Sequence, residues 1–236
     1  QLVRHHQQFH VGLWLGRGWS LGVLKNIGTA GPMVKAEFSL AFDGADPLTV
    51  VTDASWKARP SHITPLGKMT SGSYGGELVE AEKDLPGWAT PALDDADWKP
   101  AALHHPPTPV IAAQMMEPNR LQDEITPLSV EPLDDGFLVD MGRNYTGWFE
   151  LVLPDETPQG AKVSMDFADK RFPDGKFQTY SQHSEYVARG GGGERFRNRF
   201  NYAAFRYAIV KGLPRAPKPA EIKGRLITVD YETGTT

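Results

Sequence analysis

The chain of 236 residues contains no cysteine, which excludes disulfide bonds, zinc–thiolate sites and thiol nucleophiles. It also lacks any apolar run near the roughly 18 residues that a membrane-spanning helix needs. The 25 Lys and Arg residues are balanced by 29 Asp and Glu residues, so the sequence offers no basic surface for nucleic acid. We therefore expect neither a membrane nor a nucleic acid as a partner.

Sustained helical periodicity is also missing, and short runs of β-forming residues take its place. In the run 34–42, alternate residues from Ala36 to Phe42 are apolar and would share one face of a strand. The same alternation predicts strands at 11–15, 48–52, 149–153, 163–167, 203–211 and 224–230. The 24 glycines and 19 prolines fall between such runs, so the sequence predicts an all-β fold of the sandwich type.

A stretch rich in proline and histidine divides the chain. The length of the whole chain, 236 residues, suits two β domains of about 100–130 residues each. We predict a first domain at 1–103, a semi-rigid linker at 104–109 and a second domain at 110–236. The first domain contains few predicted strands for a complete sandwich, and we expect it to lack its initial strands.

Two acidic clusters are the densest groups of carboxylates: Asp94, Asp95 and Asp97, then Asp134 and Asp135. Acid–base cleavage of a sugar needs two carboxylates at a fixed separation. Each cluster adjoins a proline or glycine, where aspartate usually caps its own turn. The turn interpretation is favoured, and no catalytic residue is assigned.

The seven histidines invite a metal hypothesis, but their spacing does not support it. Without cysteine or a His-Glu-x-x-His motif, a transition-metal site is disfavoured. Calcium takes oxygen ligands from loops and stays open as a cofactor, with its ligands unknown.

The run 195–200 alternates Arg with Phe, a pattern that could stack on nucleic-acid bases. In a strand, the arginines would share one face, with Phe196 and Phe200 on the other. A solvated strand face above a packed core is therefore the favoured interpretation.

Six tryptophans are the most informative residues, because the apolar face of a pyranose stacks on an aromatic ring. Trp14, Trp56 and Trp98 lie in or beside predicted strands, which favours structural roles. We expect Trp19 and Trp148 in Gly-rich loops, where packing and sugar contact are both open.

Several motifs together resemble bacterial α-L-rhamnosidases. The segments 15–19, 51–57 and 93–100 resemble the N-terminal jelly-roll domain of that family. The segment 139–148 resembles its Asp-Phe-Gly-Gln-Asn-x-x-Gly-Trp signature, and 199–207 is similar to its Arg-Phe-x-Tyr-x-x-Phe-Arg-Tyr strand. Their order and spacing make the resemblance more specific than any single motif.

The resemblance implies two consecutive antiparallel sandwiches, a galactose-binding-like jelly roll followed by a concanavalin-like domain. In that family the catalytic carboxylates lie on an α/α barrel, which we expect outside this chain. The family hydrolyses terminal α-L-rhamnose with inversion. The resemblance also implies a rhamnose-containing glycan as partner, calcium as a candidate cofactor, and a periplasmic or extracellular location.

These considerations suggest a set of substrate-binding residues, which are Trp19, Arg143, Asn144, Tyr145 and Trp148. The alternative function is a stand-alone lectin-like module for rhamnose or a related deoxy sugar, in which such residues supply stacking and hydrogen bonds. A structural interpretation is also open: Asp140 and Asn144 would fix a tight loop, with Gly142 and Gly147 supplying unusual backbone angles. The family signature has Gln where Arg143 stands, which weakens any role for that residue in sugar contact.

Overall fold

A computed structural model describes residues 35–68, 71–90, 92–103 and 115–230. These residues divide into two compact units: one takes in the described parts of 25–61 and 85–110, the other those of 62–84 and 111–236. Trp14, Trp19, the predicted strand at 11–15 and the predicted linker at 104–109 lie outside the described residues.

Strands dominate both units, and the all-β prediction is confirmed. The strands are β1 (Glu37–Phe42), β2 (Ala45–Val51), β3 (Lys57–Ala58), β4 (Ile63–Leu66), β5 (Gly76–Glu80), β6 (Lys99–Pro100), β7 (Asn119–Ile125), β8 (Ser129–Leu133), β9 (Gly136–Val152), β10 (Lys162–Ala168), β11 (Lys170–Arg171), β12 (Phe177–Gln178), β13 (His183–Val187), β14 (Arg195–Arg197), β15 (Ala203–Lys211) and β16 (Ile222–Val229). Two short 3₁₀ helices occupy Ala81–Lys83 and Pro219–Glu221. Within the described ranges, no helix is long and apolar enough to cross a membrane.

The first unit consists of two antiparallel pairs, β1–β2 and β3–β6. The β1–β2 hairpin turns at Asp43 and Gly44, where a φ of +74° at Gly44 requires the left-handed region that glycine tolerates. The indole of Trp56 donates to the carbonyl oxygen of Val51 at 3.0 Å, which ties the segment after β2 back to that strand.

The second unit is built on one sheet with the strand order β4-β5-β13-β10-β15-β9-β16-β7, and both β8 and β14 pair with β9. Every pairing is antiparallel except β5–β13. Strands β4 and β5 come from the first hundred residues of the chain, so this unit is discontinuous in sequence.

Aromatic side chains form the centre of the second unit. Phe149, Phe167 and Phe205 project from β9, β10 and β15 and are at most 1% exposed. Their ring centroids are 5.6 Å apart for Phe149–Phe167 and 4.9 Å for Phe167–Phe205. Burying a side chain of this size contributes about 1.5–3 kcal/mol, so this cluster is a main source of stability.

Strand β9 is 17 residues long and links several neighbours. Its register with β15 jumps from Asp140 opposite Tyr207 to Tyr145 opposite Phe205, so residues 141–144 bulge out of the ladder. The Gly-rich segment that contains Trp148 was expected to be a loop, and that expectation is wrong: the irregularity is confined to the bulge. Gly147 lies in the strand for another reason: a Cβ atom there would lie 1.9 Å from the carbonyl oxygen of Arg225, so glycine allows β16 to approach β9.

Candidate functional site

The bulge of β9 is held by Asp140. Its Oδ1 accepts the backbone N–H of Gly142 at 2.7 Å, and both carboxylate oxygens accept from the guanidinium of Arg206 at 2.8 Å. This bidentate contact holds the pKa of Asp140 below its usual range. A φ of +79° at Gly142 completes the turn of the chain. Asp140 therefore fixes the backbone of the bulge.

Two of the predicted sugar-contacting residues, Arg143 and Asn144, lie on this bulge and are exposed. A guanidinium nitrogen of Arg143 is 3.8 Å from Oδ2 of Asp123, and both side chains are more than half exposed. An ion pair of this kind contributes little to stability. The bulge therefore presents a cation and an amide to solvent on a backbone that is fixed.

In contrast to Arg143 and Asn144, Tyr145 is buried in the core of the second unit. It is 6% exposed, and its ring lies 4.6 Å from that of Phe205 between centroids. Its hydroxyl donates to the carbonyl oxygen of Trp148 at 3.5 Å, and burial raises its pKa. A Cβ atom at Gly224 would meet this hydroxyl at 2.5 Å, so the ring packs directly on the β16 backbone. This placement gives Tyr145 a packing role.

Trp148 follows the buried Gly147 and precedes the buried Phe149 on β9, and its own side chain is half-buried. The guanidinium of Arg197 lies 5.3 Å from the centre of its ring, within the range of a cation–π contact. The register places Arg225 of β16 directly beside Trp148. Part of the ring face that a sugar would stack on is therefore covered by an arginine of the same unit.

A buried carboxylate organises the charges around this tryptophan. Glu150 is 3% exposed, and its Oε1 is 3.4 Å from a guanidinium nitrogen of Arg197 and 3.2 Å from Nε of Arg225. Arg225 also contacts Glu124 at 2.8 Å, and Glu124 contacts Lys223 at 2.8 Å. The hydrogen bond from Lys223 is the main cause of a lowered pKa at Glu124. Since Glu150 has two cationic partners, its burial is compensated.

The predicted site residues in the described part of the chain therefore differ in their surroundings, and Tyr145 does not reach the surface. Arg143 and Asn144 sit on the bulge, Trp148 sits within a charge network, and Tyr145 is internal. Sequence reasoning had no means of separating them, because the bulge at 141–144 alters which residues of β9 share a face.

The two acidic clusters act as turn and surface groups. Asp94 accepts the backbone N–H of Ala96 at 3.0 Å, and Asp95 pairs with Lys57 at 2.7 Å. Asp135 pairs with Lys211 at 2.6 Å. In the ranges that the structure covers, no group of three or more His, Asp or Glu residues is placed to hold a metal ion. Calcium binding stays a prediction.

A carboxylate of unexpected importance is Glu77, which is 2% exposed. It accepts the backbone N–H groups of Arg199, Phe200 and Asn201, with the first at 2.9 Å. Burial raises its pKa, and the three N–H donors oppose that effect. Glu77 therefore fixes the loop between β14 and β15 from a strand about 120 residues earlier in the chain. A Gly-Glu pair at 76–77 was its only sequence signal.

Comparison with known protein families matches both parts of the chain. Residues 2–123 match the model of the alpha-L-rhamnosidase N-terminal domain. Residues 131–228 match the model of the bacterial alpha-L-rhamnosidase concanavalin-like domain. The second match covers most of the strands that build the second unit, including the whole of β9, β10 and β15.

Curated relatives and solved structures agree with these matches. An alpha-L-rhamnosidase of Streptomyces avermitilis is 26% identical over 93% of this chain and 22% of its own length. One from Formosa agariphila is 28% identical over 86% of the chain and 22% of its own length. The structure of the Streptomyces avermitilis enzyme complexed with L-rhamnose superposes with a TM-score of 0.73, at 26% identity over 83% of this chain and 19% of that one. That of the Dictyoglumus thermophilum alpha-L-rhamnosidase gives 0.70, at 28% identity over 78% and 21%. The chain thus spans about a fifth of the length of these relatives.

Proposed function

This chain belongs to the alpha-L-rhamnosidase family, and from that premise we propose that it is the non-catalytic β-sandwich portion of a glycoside hydrolase acting on terminal α-L-rhamnosyl residues. One observation carries the proposal. The two domain matches account for residues 2–123 and 131–228, yet the relatives are several times longer than the chain. A catalytic domain outside this chain would supply the hydrolysis.

The contacts of three buried or half-buried carboxylates support a non-catalytic role for this chain. Inverting hydrolysis needs one carboxylic acid to protonate the leaving oxygen and a second carboxylate to activate water. Here Asp140 and Glu150 are held by arginines, and Glu77 by three backbone N–H groups. Each of them fixes a part of the sandwich. The role that fits them is to hold a rigid scaffold beside a catalytic domain.

Activity assays on two polypeptides test the proposal. The chain alone should release no nitrophenol from p-nitrophenyl α-L-rhamnopyranoside above the rate in buffer. The product of the complete reading frame that encodes it should hydrolyse the same compound. Turnover by the chain alone, or a complete product with no rhamnosidase activity, would contradict the proposal.

A second candidate is a rhamnose-binding module, and the exposed Arg143 and Asn144 favour it, because they lie on a bulge whose backbone Asp140 fixes. Calorimetric titration with L-rhamnose, first with calcium and then with a chelator, tests this candidate. Saturable heat that disappears on chelation would support a calcium-assisted binding module. A flat trace at millimolar sugar would leave the scaffold function alone.

A further inference from the structure

Three Asp-Gly pairs in the described part of the chain differ in how tightly the structure holds them. They are Asp43-Gly44 between β1 and β2, Asp135-Gly136 at the start of β9, and Asp174-Gly175 between β11 and β12. An aspartate followed by glycine can react spontaneously with its own backbone, since glycine has no side chain to obstruct the approach of its nitrogen. The freedom of the carboxyl group and of the next N–H group decides which pair reacts.

The reaction is an internal condensation followed by hydrolysis. The backbone nitrogen of the glycine attacks the side-chain carboxyl carbon of the aspartic acid. An N–C bond forms, the C–OH bond breaks, and one water molecule carries away the hydroxyl group and the amide hydrogen. Water then adds to the main-chain carbonyl carbon of the succinimide and breaks its bond to nitrogen. The product is isoaspartate, in which the chain continues through the side-chain carboxyl carbon and is one backbone atom longer.

The pair Asp135-Gly136 is held at both reacting groups. The carboxylate of Asp135 pairs with Lys211 at 2.6 Å, and this contact holds its pKa below the usual range, so the acid form whose hydroxyl leaves is scarce. Gly136 is buried between β8 and β15, and a Cβ atom there would lie 2.5 Å from the carbonyl oxygen of Val210. Its nitrogen therefore cannot turn towards the carboxyl group unless the strands separate.

A closed turn holds the pair Asp174-Gly175. The N–H of Gly175 donates to the carbonyl oxygen of Phe172 at 3.0 Å, and the N–H of Phe172 donates to that of Lys176 at 2.8 Å. The Oδ1 of Asp174 accepts the N–H of Lys176 at 3.1 Å, and its Oδ2 lies 3.1 Å from Nζ of the same lysine. The attacking nitrogen and the carboxylate are thus both occupied, although the turn is exposed.

The pair Asp43-Gly44 lacks such contacts. Both residues are exposed, and together they form the whole loop that joins Phe42 to its partner Ala45. Within the ranges that the structure covers, neither the carboxylate of Asp43 nor the N–H of Gly44 has a hydrogen-bond partner. A Cβ atom added at Gly44 would have nothing within 4 Å, so its surroundings are open. Attack on the carboxyl group therefore requires no hydrogen bond of either reacting group to break.

We infer that Asp43 is the site at which the folded chain modifies itself, by forming a succinimide with Gly44 that opens to isoaspartate. An extra backbone atom in a two-residue loop displaces Phe42 from Ala45, so the pairing of β1 with β2 should weaken. Two-stranded hairpins have little stability of their own, so this pair should respond first. At Asp135 and Asp174 the contacts must open before the reaction, which protects both residues.

Mass spectrometry of the full chain, kept for several weeks in neutral buffer at physiological temperature, tests the inference. Fragmentation by electron transfer distinguishes isoaspartate from aspartate and locates it in each proteolytic peptide. Isoaspartate should form at residue 43 at least about tenfold faster than at residue 135, since a tenfold difference needs only about 1.4 kcal/mol of opening free energy. It should form at least about threefold faster at residue 43 than at residue 174.

Three controls separate the structure from the dipeptide sequence. Incubation in urea removes the protection, so the three pairs should then react at rates within about threefold of one another. Asp43→Glu could react only through a larger ring that forms more slowly, so the signal at residue 43 should disappear. Lys211→Met frees the carboxylate of Asp135 and leaves Gly136 packed, so residue 135 should stay protected.

Isoaspartate that appears first at residue 135 or 174 in the folded chain would overturn the inference. Equal rates at the three pairs in the folded chain would also overturn it, because the dipeptide sequence alone would then decide the reaction. A folded chain that stays unmodified at residue 43, while the sample in urea reacts there, would show that the turn is rigid and would overturn it as well.

Discussion

Replacing Glu77 tests how far one buried carboxylate supports the second unit. Glu77→Ala would remove the acceptor for the N–H groups of Arg199, Phe200 and Asn201. Each buried donor left without a partner costs about 1–3 kcal/mol, and water can reach this partly buried loop, so we expect a loss of about 3–5 kcal/mol. Since a typical domain is stable by only about 5–15 kcal/mol, the effect should be large.

The assay combines urea unfolding, followed by tryptophan fluorescence, with hydrogen exchange. The midpoint should fall sharply, and the amides of residues 199–201 should lose protection before the rest of the sheet. Glu77→Gln keeps one acceptor and places an amide nitrogen against a donor, so we expect a smaller loss of about 1–2 kcal/mol. Glu131→Ala, at an exposed position of β8, is the matched control and should change stability by less than about 0.5 kcal/mol. A loss below about 1 kcal/mol in Glu77→Ala, or unchanged protection at 199–201, would refute the reasoning.

Two other predictions concern single positions. Hydrogen bonds from His183 to Asp166 at 2.8 Å and to Glu185 at 3.1 Å raise the pKa of His183, against the effect of burial. The two hydrogen bonds therefore stabilise the fold fully below the unfolded pKa of histidine, about 6.5, and this stabilisation is lost as pH rises through the folded pKa. In urea titrations, His183→Gln should be more destabilising at about pH 5.5 than at about pH 9. An equal loss of stability at the two pH values would count against this. Gly147→Ala would force a Cβ atom to within 1.9 Å of the carbonyl oxygen of Arg225 and separate β9 from β16. We expect a loss of about 3 kcal/mol, read as a lower melting temperature, and an unchanged melt would contradict the close approach.

The strands could be predicted because their signal is local. Alternation of apolar and polar residues marks 203–211, and that segment is the strand Ala203–Lys211. The turn at Asp43 and Gly44 could likewise be predicted, because glycine supplies the left-handed conformation that a tight hairpin needs. In both cases the residues that decide the structure are neighbours in sequence.

The contacts of Glu77, Tyr180 and Gly147 could not be predicted, because their partners are distant in sequence or the residue type does not indicate the conformation. The acceptor for the loop after β14 is Glu77, which precedes its donors by 122–124 residues. Tyr180 occupies the left-handed region although it is neither glycine nor asparagine, so its residue type does not predict that conformation. At Gly147 the glycine was interpreted as a turn, whereas it permits β16 to approach. Glycine occurs both in turns and where two strands pack closely, and the sequence alone does not distinguish these two roles.

Contacts within the chain explain the positions of two groups of side chains in the second unit. Around Trp148, Glu150 and its two arginines satisfy one another, so their positions are explained by the stability of the sheet. At Tyr180 and Ser181 the left-handed conformation belongs to a turn: the N–H of Gln182 donates to the carbonyl oxygen of Thr179 at 2.9 Å, and the N–H of Tyr74 donates to the carbonyl oxygen of Tyr180 at 3.0 Å. In both places the described ion pairs and hydrogen bonds account for the conformation through the fold itself.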